Sequence, residues 1–244
     1  MTQASINLDS LDVVLREYRE KFDRFSEILI AENQKYNLTR IDSPEQIEVR
    51  HFLDSLAGLL ILDELSQKTG KPLKVLDIGS GAGFPGLVLA IVRPAWRITS
   101  MEATGKKVHF QQMICGELGL KNVTVLNVRA EDTAHHTAYR QQFDAVTARA
   151  LAAMPILAEL SLAFAKPGGL ALYWKGPSAK EELQTAQAAI KEMGADIHDT
   201  LSYTLPTNEG TPAQLSLIVC KKIKKTPKQY PRVYGIIKKK PLSN

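Results

Sequence analysis

The sequence predicts an α/β protein: a mostly parallel seven-stranded sheet with helices on both faces, preceded by a helical extension. Three observations predict it. Apolar runs at 73–78, 98–101, 123–128, 143–147 and 170–174 alternate with helical stretches, as a parallel sheet with helical crossovers requires. A glycine-rich turn, Gly79-Ser-Gly-Ala-Gly83, directly follows the first run. Two further stretches rich in β-formers, 197–205 and 214–221, flank a polar Asn-Glu-Gly-Thr-Pro turn and read as a terminal antiparallel pair. The chain divides accordingly into an extension (1–72), a core (73–222) and a basic tail (223–244).

In the extension, Leu8, Leu11, Leu15, Tyr18, Phe22, Phe25 and Leu29 alternate spacings of three and four, one face of a single amphipathic helix. Asn33 to Arg40 is polar and reads as a loop. Ser43-Pro44-Glu45-Gln46 is a cap, a first-turn proline and a capping-box residue, opening a helix to about Leu62 that offers Phe52, Leu56, Leu59 and Leu60 for burial. Ser66 to Pro72 links this helix to the sheet. In the core, helices are expected over 87–92, 105–118 (with Val108, Met113 and Ile114 inward), 154–165 and from Ser178 as its cap to about Met193. Lys166-Pro167-Gly168-Gly169 is a turn signal closing the third of these.

The totals set bounds. The 244 residues suffice for one large domain with an appendage, and 44% hydrophobic with 23% charged residues is ordinary for a globular protein. No apolar run approaches the roughly 18 residues of a membrane span. The N-terminus lacks a signal-peptide pattern, and Cys115 and Cys220 lack metal-ligand spacing, so a reduced, cytoplasmic setting without a metal is expected. The net charge of +5 is uneven: residues 221–244 hold nine Lys or Arg and no acid, whereas residues 1–220 hold 22 basic against 26 acidic side chains. Such a segment suits a polyanion; its plainer reading is a disordered solubilising tail.

The stretch Leu73 to Gly86 concentrates the chemistry. Alternating glycines allow a sharp turn and a close backbone approach to a ligand. Gly81, Gly83 and Gly86 fit the dinucleotide fingerprint G-x-G-x-x-G, with Glu102 near the expected carboxylate position. Asp77 with Gly79, Gly81 and Gly83 fits D-x-G-x-G-x-G instead, which resembles the S-adenosylmethionine loop of Rossmann-like methyltransferases. A pyrophosphate wants bare N–H groups, whereas a ligand with an ammonium and a sulfonium suits an acid such as Asp77 at the strand tip. Ligands of open parallel sheets sit beyond the carboxyl ends of the strands. Asp77, Gly79, Phe84, Glu102, Ala130, Glu131 and Arg149 all fall there. Glu102 is placed to accept ribose hydroxyls, and Ala130 and Glu131 to flank a base. Arg149 could fork onto a carboxylate or hold an acceptor. His51 and Asp54, three apart in Arg50-His-Phe-Leu-Asp-Ser55, could be a base and its orienting acid or a partly buried helix face with an internal hydrogen bond.

Asn37-Leu-Thr39, Arg50-His-Phe-Leu-Asp-Ser55, Asp77-Ile-Gly-Ser-Gly-Ala-Gly-Phe-Pro-Gly86, Arg129-Ala-Glu131, Phe143-Asp-Ala-Val-Thr-Ala-Arg-Ala150, Lys175-Gly176, Tyr230-Pro-Arg232 and Lys240-Pro-Leu242 occur in this order. Together they resemble the bacterial 16S ribosomal RNA guanine-N7 methyltransferase family, also called glucose-inhibited division protein B. The resemblance implies a class I, Rossmann-like fold and S-adenosylmethionine contacted at Gly79, Phe84, Glu102, Ala103, Thr104, Ala130, Glu131 and Arg149. It also implies a target guanosine in the decoding-region loop of small-subunit rRNA. RNA contacts are expected at Lys175, Tyr230, Arg232, Lys238, Lys239 and Lys240, in a monomer acting on 16S rRNA or the small subunit. Glu102 stands where an Asp is common, and Gly235-Ile-Ile237 replaces the more usual Gly-x-Pro. Two other classes stay open on residues alone: an NAD-dependent oxidoreductase, on the overlapping glycine pattern, and an RNA-binding protein with a vestigial nucleotide fold, on the tail.

Overall fold

The computed structural model describes residues 5–206 and 212–242. Seven strands form one sheet in the order β3-β2-β1-β4-β5-β7-β6. They are β1 (Lys74–Ile78), β2 (Arg97–Glu102), β3 (Val123–Asn127), β4 (Phe143–Arg149), β5 (Ala165–Lys175), β6 (Ala195–Leu205) and β7 (Ala213–Lys222). The first five pair in parallel, and β7 runs antiparallel to β5 and β6. The predicted terminal pair is thus present; most of its connecting turn lies outside the described residues. Central position explains burial: β1 and β4 are enclosed along nearly their whole length, whereas edge strand β3 is half-exposed.

The single N-terminal helix of the sequence reading is two, α1 (Asp9–Glu17) and α2 (Arg19–Tyr36), broken at Tyr18. No Gly or Pro occurs in residues 1–43 to mark the break. The predicted face survives it: Leu11, Leu15, Phe22, Phe25 and Leu29 are all buried. Helix α2 continues into the expected loop and stops at Asn37, which adopts the left-handed conformation (φ 49°) that Asn tolerates. The Asn33 side chain then accepts from the amides of Leu38 (2.7 Å) and Thr39 (2.9 Å), which fixes Thr39 for a role described below.

The helix expected over 44–62 is also interrupted. α3 (Pro44–Ile47) opens on Ser43, whose hydroxyl accepts from Gln46 N as expected of a cap. A π-helical turn, Glu48–Leu53, follows, then α4 (Asp54–Leu56), and α5 (Leu59–Thr69) runs through most of the supposed linker. Leu60, expected inside, is 47% exposed. Gly58 stands at the break because a Cβ there would lie 2.8 Å from the Trp174 ring.

Around the sheet lie α6 (Gly86–Val92), α7 (Gly105–Glu117), α8 (Ala130–Thr133), α9 (Met154–Ser161), α10 (Ala179–Glu192) and α11 (Tyr234–Lys239). On α7 the buried side chains are Val108, Phe110, Gln111 and Ile114, with Met113 only half-buried. The Lys166–Gly169 segment is not the end of a helix but an irregularity inside β5. Phe143 pairs with Ala165 and Ala145 with Leu170, so residues 166–169 fall out of register. Ser178 precedes α10 without capping it; its hydroxyl donates to Glu182.

One face of the sheet packs against α1, α2, the π-turn, α6 and α7 in a single core, so the N-terminal helices share the interior of the sheet domain. The other face packs against α8, α9 and α10. Among the described residues, no helix is long and apolar enough to cross a membrane and no cluster of His, Cys, Asp or Glu could hold a metal.

Candidate active site at the carboxyl edge of the sheet

The glycine turn between β1 and α6 folds as its composition requires: Gly79, Gly81 and Gly83 have φ of 62°, 60° and 100°, a region costly for any other residue. Gly79 N is anchored on the Met101 carbonyl at 2.8 Å, tying the turn to β2. Behind it, Ser100, Gln111 and Ser80 form a buried hydrogen-bonded trio, and Gln111 also donates to the Gly81 carbonyl at 2.8 Å. Glu102, at the tip of β2, accepts from Gly81 N (2.9 Å) and Thr104 N (2.8 Å). Its carboxylate therefore fastens the turn while lining a cavity of about 130 Å³. Gly79, Ala103, Ala130 and Glu131 line the same cavity, over an apolar floor of Ile78, Met101 and Val128. Thr104 precedes α7 and contributes its amide to Glu102.

Asp77 is placed differently from its sequence reading as a charge facing a cationic ligand. Its carboxylate is fully buried, accepting from Gly86 N (2.8 Å) and the Thr147 hydroxyl (2.9 Å). Burial pushes its pKa up to about 7, against the pull of those two hydrogen bonds. It pins the start of α6 to β1 and β4 and is not part of the cavity surface. Phe84 likewise turns inward. Its ring stacks on His51 (4.4 Å, 17°) and on Phe25 (5.4 Å, 13°), and the Arg149 guanidinium lies 5.1 Å from its centroid. The glycine turn is thus locked to the N-terminal helices.

Arg149, the last residue of β4, organises a second cluster. Its Nη1 donates to Asp54 Oδ2 (2.7 Å) and to the Arg50 carbonyl (3.0 Å), and its Nη2 to His51 Nδ1 (3.1 Å). A guanidinium can only donate, so His51 Nδ1 must accept, and the proton of the neutral ring sits on Nε2, facing the Thr39 hydroxyl at 2.9 Å. Burial, reinforced by the Arg149 charge, drives the His51 pKa down to about 3. His51 and Asp54 are therefore not a base with its orienting acid; both hold Arg149. Asp54 is completed by the Tyr203 hydroxyl on Oδ1 (2.6 Å) and by Trp174 Nε1 on its carbonyl (2.7 Å). Arg149, His51, Asp54, Trp174 and Tyr203 line a cavity of about 700 Å³. Leu151 and Ala152 line both cavities and so stand between them.

The expected RNA contacts are distributed unevenly. Lys175 lines the larger cavity, but its ammonium is held by Glu182 and the Ala152 carbonyl, both at 2.7 Å. Arg232 forks onto Glu159, a fully buried carboxylate (Nε–Oε1 2.9 Å, Nη2–Oε2 2.7 Å). Its guanidinium serves the fold and is not free for a phosphate. Tyr230 packs against the core that contains α9 and α10, and its carbonyl accepts from Arg140. Lys222 is buried, with its ammonium on the Met193 carbonyl and the Thr226 hydroxyl, and burial lowers its pKa to about 7. Lys238, Lys239 and Lys240 are exposed. The tail is therefore a docked segment through residue 242, not a disordered one.

Sequence reasoning missed Thr39, Phe25, Leu151, Trp174, Tyr203 and Tyr234. Thr39 and Trp174 sat in or beside motifs singled out for other reasons; Tyr203, in an edge strand, carried no signal.

The family model described as rRNA small subunit methyltransferase G matches residues 18–204. The ribosomal RNA small subunit methyltransferase G of Leuconostoc citreum is 39% identical over 237 residues, 97% of this chain and 96% of its own. That of Streptococcus sanguinis is 40% identical, over 92% of this chain and 91% of its own. A polyamine synthase variant from Thermus thermophilus, solved with N4-aminopropylspermidine and 5′-methylthioadenosine, shares the fold at a TM-score of 0.55 and 14% identity, over 71% of this chain and 56% of that one. With its α/β sheet of Rossmann-like, class I methyltransferase type, the chain belongs to the rRNA small subunit methyltransferase G family.

Proposed function

We propose that this protein methylates N7 of one guanosine in the decoding-region (530) loop of 16S rRNA, using S-adenosylmethionine, in the cytoplasm and as a monomer. The observation that carries this reading is the pair of cavities sharing Leu151 and Ala152: a small one on the glycine turn for the donor, a larger one around Arg149 for the acceptor base. The first has the chemistry the donor needs: an acid at the tip of β2, the half-buried backbone of Gly79, and an apolar floor. Its 130 Å³ is below the roughly 300 Å³ of a small ligand site. Leu151 is what narrows it, since its Cδ1 lies 2.5 Å from where a Cβ on Gly79 would be. Loading the donor then requires Leu151 to swing out.

S-adenosylmethionine supplies, when bound, a methyl group on a sulfonium centre. Guanine N7 carries a free lone pair and no proton, so the acceptor needs orientation and not a base. The site agrees with this. Among the described residues that line the larger cavity, the one histidine has both ring nitrogens engaged. Arg149 keeps its Nε–H and one Nη2–H without a partner among the described residues, donors suited to the base's O6. Lys238, Lys239 and Lys240 supply phosphate contacts that position without reading sequence.

Calorimetric titration with S-adenosylmethionine, S-adenosylhomocysteine and NAD should show binding of the first two and none of the third. Incubation with 16S rRNA or small subunits from a strain lacking the gene, followed by chemical mapping of N7-methylguanosine, should then show one new modified position. Binding of NAD alone, or unmodified RNA, would overturn the reading. Replacing the three lysines by Ala should flatten the salt dependence of RNA binding by a slope of about 3, roughly one per phosphate contact.

A further inference from the structure

The C-terminal segment contributes to the cavity assigned above to the methyl donor, and this inference rests on that assignment. Tyr234, the first residue of α11, lines the small cavity together with the residues at the ends of β1, β2 and β3. It is half-buried, between exposed Val233 and Gly235. Its position is fixed from both sides. On the α8 side, the His135 ring meets the Pro231 carbonyl (2.9 Å), and Arg140 donates to the carbonyls of Tyr230 (2.8 Å), Thr226 (3.0 Å) and Pro227 (2.9 Å). On the α9 side, Arg232 places its backbone N–H and its guanidinium on Glu159, and returns to the Lys240 carbonyl at 2.9 Å. One residue beyond Glu159, Leu160 is itself a cavity wall, and Ile237 is fully buried. The chain from Thr226 to Lys240 is therefore a strap tied down on the helices either side of the cavity, and Tyr234 is its one residue among those that line the cavity.

From this we infer that Tyr234 is a donor-binding residue, packing its ring against the flat base of the ligand at the Ala130–Glu131 end, and that the Arg232–Glu159 fork holds it there. A flat aromatic wall suits a heterocycle because a large apolar area is buried at little rotamer cost. The strap ends in Lys238, Lys239 and Lys240, the residues assigned above to phosphate contacts.

The test is isothermal titration of S-adenosylmethionine into the full chain and its variants, followed by steady-state methylation of rRNA. Tyr234→Ala should weaken binding tenfold or more, with Tyr234→Phe within twofold of wild type. Methylation by Tyr234→Ala should show a raised KM for the donor and a kcat near normal. Arg232→Ala should weaken binding in the same direction; if the unpaired Glu159 prevents folding, the two Tyr234 variants decide alone. Wild-type affinity in Tyr234→Ala, or an equal loss in Tyr234→Phe, would overturn the inference. A wild-type protein that binds no donor would instead remove the assignment of the cavity, and this inference with it.

Discussion

The two sides of the site are built by different means. The donor side is held mainly by backbone: three left-handed glycines, an amide anchored on β2, and a glutamate bonded to two amides within its own neighbourhood. The acceptor side is held by side chains from distant parts of the chain. Thr39, His51, Asp54, Arg149, Trp174 and Tyr203 come from a loop, a π-helical turn, the short helix α4 and three strands. A turn wired through its backbone needs glycines at fixed positions. A cluster wired through side chains needs a charge balance, because Arg149 and Asp54 are both largely buried.

Breaking the charge balance should have the largest effect. Asp54→Ala leaves Arg149 without its carboxylate in a mostly buried place, and should cost about 3–5 kcal/mol in chemical denaturation, with loss of methylation. Next is the turn itself. Gly83→Ala forces φ of 100° on an alanine and puts a Cβ 2.4 Å from Leu87 Cδ1. Left-handed strain and overpacking together should cost about 2–4 kcal/mol and abolish donor binding. Tyr203→Phe removes one hydrogen bond to a buried carboxylate and should cost about 1.5–3 kcal/mol, sparing donor affinity while lowering methylation. An equal loss of donor affinity would show that the two sides are not separable.

The smallest test sharpens the comparison by pH. The two sides should titrate in opposite senses. Asp77, behind the donor turn, has its pKa raised from 3.8 to about 7, so between those values the native state binds the extra proton. Its contribution is full below 3.8 and is lost as pH rises through about 7. His51, on the acceptor side, has its pKa lowered from 6.5 to about 3, so between those values the unfolded chain binds the extra proton. Its contribution is full above 6.5 and is lost as pH falls through about 3. Denaturation midpoints across these ranges should decline with rising pH less steeply in Asp77→Asn, and with falling pH less steeply in His51→Gln.

The same contrast explains what could be read in advance. The glycine turn, the alternation of strands and helices and the terminal antiparallel pair are local patterns, so they were legible. The apolar stripe from Leu8 to Leu29 was legible as a face but not as two helices, because nothing in its composition marks Tyr18. The widened turn at Glu48–Leu53 looks like ordinary helix; what stabilises it, Arg149, is about a hundred positions away. Arg232 and Asp77 show the limit most plainly. Asp77 reads as a ligand-facing acid from its charge and place in a motif, and Arg232 as an RNA contact from a resemblance, yet each has a partner inside the fold that only the tertiary structure supplies.

The sandwich of Phe25, Phe84 and His51 has a consequence for how this protein could diversify. The glycine turn leans on the N-terminal helices through the Phe84 ring, and the same ring steadies Arg149 at the larger cavity. The N-terminal helices cannot be exchanged here like a removable module, since a new set would have to offer an aromatic face at the same height and tilt. Changes of target should therefore accumulate at the rim of the large chamber and along the lysine-bearing end, while the stack itself drifts little.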